Sequence, residues 1–345
     1  MTESPIRVGL IRCDTHGAYY GALMAAHDPL RLRTPLAAGA TARYSWQAGG
    51  AHFYFYTDYG DPGHMTVDAV DGFRLTRVWD EHADAAECLA AVFDEPPLVC
   101  SSAEKVSDDV DLVFIADCNG DGSDHLQLAR PGLEKGVATF VDKPLAFTTD
   151  EARSIVTLAA DNDAALASAS ILQVLPGVTQ FSRRLAEVGE LQFGAIQGGG
   201  LTLAGQIHTI CVALQVFGNG VLGVRAMGAA GPDTIHLDYG PAREQRPVRG
   251  VTLSCDVGAV WHCAFHVSAH GPAGAIHSPP LGDFVFPFGA AAILRQVRDV
   301  MNEGKVATFL AQMLEAVAIA EAARQSHATG KRVELPSATN SGHNT

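Results

Sequence analysis

The stretch VDLVFIADCNGDGSDHLQLARPGLEKGVATFVDKPLAFTTDEA, residues 110–152, decides the fold. It begins with an apolar run, Val110–Ala116, that is too short for a buried helix and rich in strand formers. A turn of Asp, Asn and Gly follows. His125–Lys135 has helical patterning and stops at Gly136, a residue suited to a helix C-cap. Ala138–Val141 is a second short apolar strand. Thr148-x-x-Glu151 is a capping box that opens a further helix running to about Asp161. Strands apolar on both faces and joined by helices belong in a parallel, doubly wound sheet.

The same alternation extends in both directions. Ile6–Ile11 is a buried strand, and CDTHGAYYGALMAA after it is a turn and a helix. Phe73–Trp79 is strand-like and ends at Asp80; His82–Val92 is helical, Pro97–Cys100 extended, and Ala164–Ile171 a sixth strand. Right-handed crossovers put all the C-terminal strand ends on one edge, where such sheets bind ligands. The residues expected there are Arg12–Gly17, Asp80, Asp117–Ser123 and Asp142–Pro144. Residues 28–72, rich in Gly, Pro and aromatics, lack clear periodicity and read as an insertion or functional loop.

Past residue 166 the pattern changes. Leu191–Gln197, Thr234–Tyr239, Val251–Asp256 and Ala259–Ser268 alternate or are bounded by Gly and Pro, as in a mostly antiparallel sheet. Gly289–Asn302 and Ala307–Thr329 are amphipathic helices. The expected organisation is α/β: a Rossmann-like domain over 1–166, an α+β substrate and oligomerisation domain over 167–335, and a disordered polar tail over 336–345.

Of the 345 residues, 47% are hydrophobic and 18% charged, a globular composition too long for one ordinary core. The net charge of −14 argues against nucleic-acid or anionic-membrane partners. No apolar run is long enough to span a bilayer, and the N-terminus lacks a signal-peptide pattern. The seven cysteines are scattered without CxxC spacing and read as small buried hydrophobes in a reduced cytoplasm.

Segment 110–152 resembles the glucose–fructose oxidoreductase/inositol dehydrogenase (Gfo/Idh/MocA) family: Asn119, His125 and Asp142-Lys143-Pro144 match its motifs, with Asp in place of the usual Glu. GGGLTLAGQIHTICVALQVFG (198–218) resembles the family's active-site helix, whose His aligns with His208, and 301–335 resembles its last helices and strand. The resemblance implies an NAD(P)-dependent oxidoreductase acting on CH–OH groups of a sugar, cyclitol or related polyol in carbohydrate metabolism. It implies Lys143 and His208 as catalytic residues that hold the alcohol and relay its proton. It also implies a homodimer or homotetramer formed through the open face of the C-terminal sheet. The residues expected at the cofactor are Arg12, Asp14, His16, Gly17, Asp80, Asp117, Asn119, His125, Asp142 and Lys143. Asp80, closing the second strand, would hold ribose hydroxyls and favour NAD over NADP; its other reading is a helix N-cap.

Three departures stand out. In IRCDTHG (11–17), Arg12 and Asp14 replace two of the three phosphate-loop glycines and Gly17 remains, so a carboxylate stands where a diphosphate approaches. The family's Asp four residues before the active-site His is Ala204; Asp14, His16 and Asp142 are candidate substitutes. The 28–72 insertion carries Trp46, His52, Tyr54, Tyr56 and His64, which suit either a sugar-covering lid or a surface excursion. No metal is expected. Asp14, His16, His125 and Asp142 could converge, but His262 and His266 on a strand would stand ~13 Å apart. Two alternatives remain: a redox-inactive relative that binds sugars or regulates, and an enzyme that retains NAD and uses transient oxidation for elimination or glycoside cleavage.

Overall fold

A computed structural model describes residues 4–33, 47–58, 60–240, 246–255, 264–303 and 309–336. The chain folds into two compact units. The first comprises 1–146, 150–171 and 284–310; the second comprises 147–149, 172–283 and 311–345.

In the first unit the apolar runs become strands: β1 (Ile6–Ile11), then α1 (Thr15–Met24), α2 (Pro29–Leu32) and α3 (Gln47–Phe55), then β2 (Phe73–Trp79), α4 (Ala83–Ala90), β3 (Leu98–Val99), β4 (Leu112–Ile115), α5 (His125–Glu134), β5 (Ala138–Val141), α6 (Thr149–Asp161) and β6 (Leu166–Ala167). The strands form one parallel sheet in the order β3-β2-β1-β4-β5-β6. Every residue of β4 and β5 is buried, as expected for strands covered on both faces. The order reverses direction beside β1, so the ends of β1 and β4 flank the switch point where ligands bind in such sheets. The expected sixth strand is confined to two residues.

The expected irregular insertion contains two helices. α3 puts Ala51, Tyr54 and Phe55 into the core, where the Phe55 ring packs tilted against Tyr19 of α1 with centroids 4.5 Å apart. Its Gly49-Gly50 pair and the absence of a charged face hide the helix from a periodicity reading. Trp46 lies outside the described residues, as do Trp261, His262, Cys263 and residues 337–345.

The second unit holds α7 (Pro176–Arg183), β7 (Phe193–Gln197), α8 (Leu203–Phe217), β8 (Gly223–Met227), β9 (Thr234–Asp238), β10 (Val251–Ser254), β11 (Ala264–Gly271), β12 (Gly274–His277) and β13 (Leu281–Gly282). After α9 (Phe286–Glu303), which belongs to the first unit, the chain returns with α10 (Leu310–Thr329) and β14 (Val333–Glu334). The sheet order is β12-β11-β7-β10-β9-β8-β14, with β13 beside β11; among the described residues β7 and β10 pair in parallel and the other neighbours antiparallel. The expected fold class is borne out: a Rossmann-like parallel sheet followed by a larger, mostly antiparallel one. One sheet face is buried through Ile196, Val224, Ile235, Leu237, Leu253 and Val267, while Ala195, Thr252, His236 and Arg225 stand on the other.

Candidate active site

The chain turns sharply where β1 meets α1. Arg12 takes the left-handed conformation, φ 76°, that the family's first glycine usually supplies. A Cβ on Gly17 would stand 2.3 Å from the Arg12 carbonyl oxygen, so only glycine fits there and strand and helix close tightly. Two of the three glycine functions are thus retained, one by an arginine. The third is not. Asp14 caps α1: its Oδ1 accepts from the amides of His16 (2.9 Å) and Gly17 (3.3 Å), and its Oδ2 accepts from Cys118 N (2.8 Å). The amides that a helix N-terminus would offer an anion are therefore held by the chain's own carboxylate.

The Arg12 guanidinium is buried and spans Glu81 (2.7 Å) after β2 and Asp124 before α5. Burial opposes its charge, but Asp124 and Glu81 outweigh burial and hold Arg12 above the ordinary guanidinium range. Its Nε has no hydrogen-bond partner. Asp80 is buried; it accepts from Cys13 N (2.8 Å) and His82 N (2.9 Å), so it braces two loops at the ends of β1 and β2.

Beyond β4 and β5 lies a buried ionic network. Asp142 Oδ2 faces His16 Nδ1 at 2.5 Å and accepts from Asp117 N (3.0 Å), while its Oδ1 accepts from Lys143 N (2.8 Å). Burial disfavours the Asp142 charge, but His16 and Lys143 outweigh that and lower its pKa. Burial likewise opposes charge on His16, yet Cys118 and Asp142 raise its pKa well above the usual imidazole range. His125 Nδ1 donates to the Pro144 carbonyl (2.8 Å), and its Nε2 faces Asp117 Oδ2 at 3.3 Å. His125 is raised too, with burial opposing and Asp117 prevailing.

Lys143, before a cis peptide to Pro144, is buried and donates from Nζ to the Cys118 carbonyl (2.7 Å). Asn119 is exposed at the rim. Asp117, Asp124 and His125 each bring one donor atom to within 4.8 Å of the others, a grouping different from the one weighed in the sequence. Arg12 and His125 already meet those two carboxylates with protein cations.

Arg12, Asp14, His16, Gly17, Asp80, Asp117, Asn119, His125, Asp142 and Lys143 thus share one edge of the first unit's sheet. Sequence reasoning placed Cys118 on this edge only as part of the Asp117–Ser123 stretch, and missed Asp124 and Tyr20 beside it. Cys118 is only half-buried, unlike Cys13, Cys100, Cys211 and Cys255, so the uniform reading of cysteines as buried hydrophobes fails there and at Cys88. Its position directly after β4 was the available signal. In the second unit, His208 lies on α8, half-buried, with its ring edge-on to Phe265 at 6.2 Å; Ala204 is buried one turn earlier. The candidate substitutes for the missing acid, Asp14, His16 and Asp142, are engaged with one another's loops on the first unit.

Comparison with known proteins agrees with this architecture. Residues 54–170 match the model of the GFO_IDH_MocA family, described as an oxidoreductase family with an NAD-binding Rossmann fold. The family resemblance read from 110–152 is borne out over that segment. No curated protein matches the chain in sequence. Among solved structures, a myo-inositol dehydrogenase from Corynebacterium glutamicum is 16% identical with a TM-score of 0.69, covering 97% of this chain and 100% of its own. GenD2 of gentamicin A biosynthesis, in complex with NAD, is 15% identical with a TM-score of 0.72 and covers 98% of each chain. An oxidoreductase from Agrobacterium radiobacter, in complex with NAD⁺, L-tartaric acid and magnesium, is 15% identical with a TM-score of 0.67, covering 96% of this chain and 98% of its own. At these identities the likeness establishes the fold. The β1–α1 turn fits a dinucleotide in its backbone, through Gly17 and the conformation of Arg12, and departs from the family in its charge at Asp14.

Proposed function

We propose that the protein is an NAD(P)-dependent oxidoreductase that interconverts a secondary alcohol and a ketone on a sugar, cyclitol or related polyol. The observation that carries the reading is Lys143: a buried ammonium at the ligand edge of a dinucleotide-binding sheet, held by the Cys118 carbonyl at 2.7 Å. The similar structures described as acting on inositols, and the one drawn from gentamicin A biosynthesis, support the substrate class.

Arg12, Gly17 and Asp80 would line the dinucleotide, with Arg12 as the cation beside its diphosphate and Asp80 favouring NAD over NADP. The bound nicotinamide would supply the hydride acceptor. Lys143 would orient the substrate hydroxyl and stabilise the oxygen as its proton leaves. The family resemblance implies His208 as the general base that takes that proton. Asp142 positions Lys143 through the backbone amide at 2.8 Å. A second copy of the chain is the expected partner, through the open face of the second unit's sheet; light scattering checks it. No helix among the described residues is long and apolar enough to cross a membrane.

The test is a panel of inositols, aldoses and their keto forms with NAD⁺ or NADP⁺, followed by nicotinamide absorbance. Lys143→Met should lower kcat/KM by at least ~10²-fold, the scale of a positioned proton-transfer group. Loss of neither binding nor turnover in that variant defeats the role. Asp14 favours a second reading, a redox-inactive sugar-binding relative, because its carboxylate holds the helix N-terminus. A sugar that raises the melting temperature while neither dinucleotide binds would select it.

A further inference from the structure

The hydride-transfer reading leaves unused a cavity in the second unit. It measures about 810 Å³ and is lined by Gln192, Phe193, Arg249, His270, Gly271 and Pro272, all residues of that unit. It sits where β7 begins and β11 ends, because Phe193 pairs with His270 in the antiparallel register of those strands. Backbone bonds tie its walls to one another. Gln192 N donates to the His270 carbonyl at 2.9 Å, and Arg249 N donates to the Gln192 carbonyl at 2.8 Å. A Cβ on Gly271 would stand 2.3 Å from the Val188 carbonyl oxygen, so the end of β11 is pressed against the turn at Leu185–Val188. Clefts of this size, ~300–1,000 Å³, are those that enclose small molecules.

The lining selects the kind of molecule. The Phe193 and His270 rings stand 5.9 Å apart and tilted at 40°, within the range at which aromatic rings attract. His270 is steadied by two further neighbours: its Nε2 lies 3.3 Å from Ser268 Oγ, and the His277 ring stands edge-on at 6.1 Å. With Gly271 and Pro272 these rings make the wall mainly apolar. Two polar side chains on the same wall have nothing to hold. Among the described residues the Arg249 guanidinium makes no hydrogen bond or ion pair, and the Gln192 amide group makes no hydrogen bond. A guanidinium is a planar fork of donors matched to a carboxylate. A single such cation, in a chain of net charge −14, suits a monoanion better than a phosphate dianion. A polyol fits poorly, because a mainly apolar wall leaves most of its hydroxyls without partners.

We propose that this cavity binds a small aromatic carboxylate. The carboxylate pairs with the Arg249 fork, the ring lies against Phe193 and His270, and the Gln192 amide bonds a polar substituent of the ring. Binding is non-covalent and leaves the ligand unchanged. The site is built within one unit and uses neither dinucleotide nor Lys143, so it stands or falls independently of the hydride-transfer reading.

The experiment titrates the full-length, dinucleotide-free protein with 4-hydroxybenzoate near neutral pH and follows the ligand by NMR. A Kd of about 1 mM or tighter is expected. Cyclohexanecarboxylate keeps the charge and loses the aromatic faces, and should bind about fivefold more weakly. Phenol, which lacks the carboxylate, and inorganic phosphate, which lacks the ring, should each bind at least ~tenfold more weakly. Arg249→Gln should weaken 4-hydroxybenzoate by about tenfold or more, the loss of a charge-assisted pair. Arg249 is exposed and unpaired, so the melting temperature of the ligand-free variant should match that of the wild type, which separates a lost ligand from a lost fold. No 4-hydroxybenzoate binding by the wild type at that concentration, or an Arg249→Gln protein of unchanged affinity, overturns the site. Phosphate or cyclohexanecarboxylate bound as tightly as 4-hydroxybenzoate overturns the ligand class.

Discussion

Asp14 ties together two things that dinucleotide loops usually keep apart: a helix cap and the seat of an anion. Its carboxylate holds the amides of His16, Gly17 and Cys118, so a diphosphate approaching α1 meets a like charge instead of free donors. Asp14→Gly should therefore tighten NAD⁺ binding about tenfold, ~1.4 kcal/mol, read by calorimetry. Its fold should survive, because glycine at an N-cap costs only a few tenths of a kcal/mol. Unchanged or weaker NAD⁺ affinity would show that the diphosphate lies elsewhere. The His16–Asp142 pair sets a pH dependence. His16 is raised in the fold, so its charge stabilises fully below the unfolded value of 6.5 and is lost as pH climbs through the folded value. Asp142 is lowered, so its contribution is full above 3.8 and is lost as pH falls through its folded value. The stability difference between the wild type and His16→Gln should be largest at about pH 5, between the two ordinary values, and shrink as pH rises through the raised folded value of His16, measured as urea midpoints. Place and partnership differ in how far they can be read from sequence. Strand order puts Lys143 and Asp142 at the sheet edge, but the meeting of Asp14 with the Cys118 amide joins residues far apart in the chain. Only the pairing of β1 with β4 brings them together.

At the scale of elements, the β1–α1 turn is a tight joint of the first unit. Gly17→Ala forces a methyl against the Arg12 carbonyl oxygen and should cost about 1–3 kcal/mol, visible as a lower melting temperature with or without dinucleotide. A neutral result would mean that the turn relaxes freely. The parallel strands were legible because burial on both faces leaves continuous apolar runs with no polar alternation. α3 was not: its glycines and aromatics carry no 3.6-residue polarity, and what makes it a helix is packing of Ala51, Tyr54 and Phe55 against α1, a tertiary cause. The strand expected over Ala259–Ser268 is described from Ala264, and it runs on to Gly271 because β7 and β12 pair with it along that length.

For the whole molecule, ligand binding and stability are one measurement. NAD⁺ at about a hundred times its Kd should add ~2.7 kcal/mol, raising the melting midpoint by roughly 5–10 °C. No shift with either NAD⁺ or NADP⁺ would leave the parallel sheet as architecture without its ligand. The net charge of −14 sets the long-range field that an anionic dinucleotide must cross, so its association should quicken with added salt. One further property follows from α9. This helix lies more than a hundred residues beyond the rest of the first unit, yet packs against α1 and α3. Its Val297, Val300 and Met301 share a crevice with Leu112, Phe140 and Leu166 of the sheet. During synthesis, then, the first unit cannot finish folding when its sixth strand leaves the ribosome. It must wait, with an apolar sheet face uncovered, while the second unit's strands are made, about 5–20 s at ordinary elongation rates. That interval is when a chaperone would matter most to this chain.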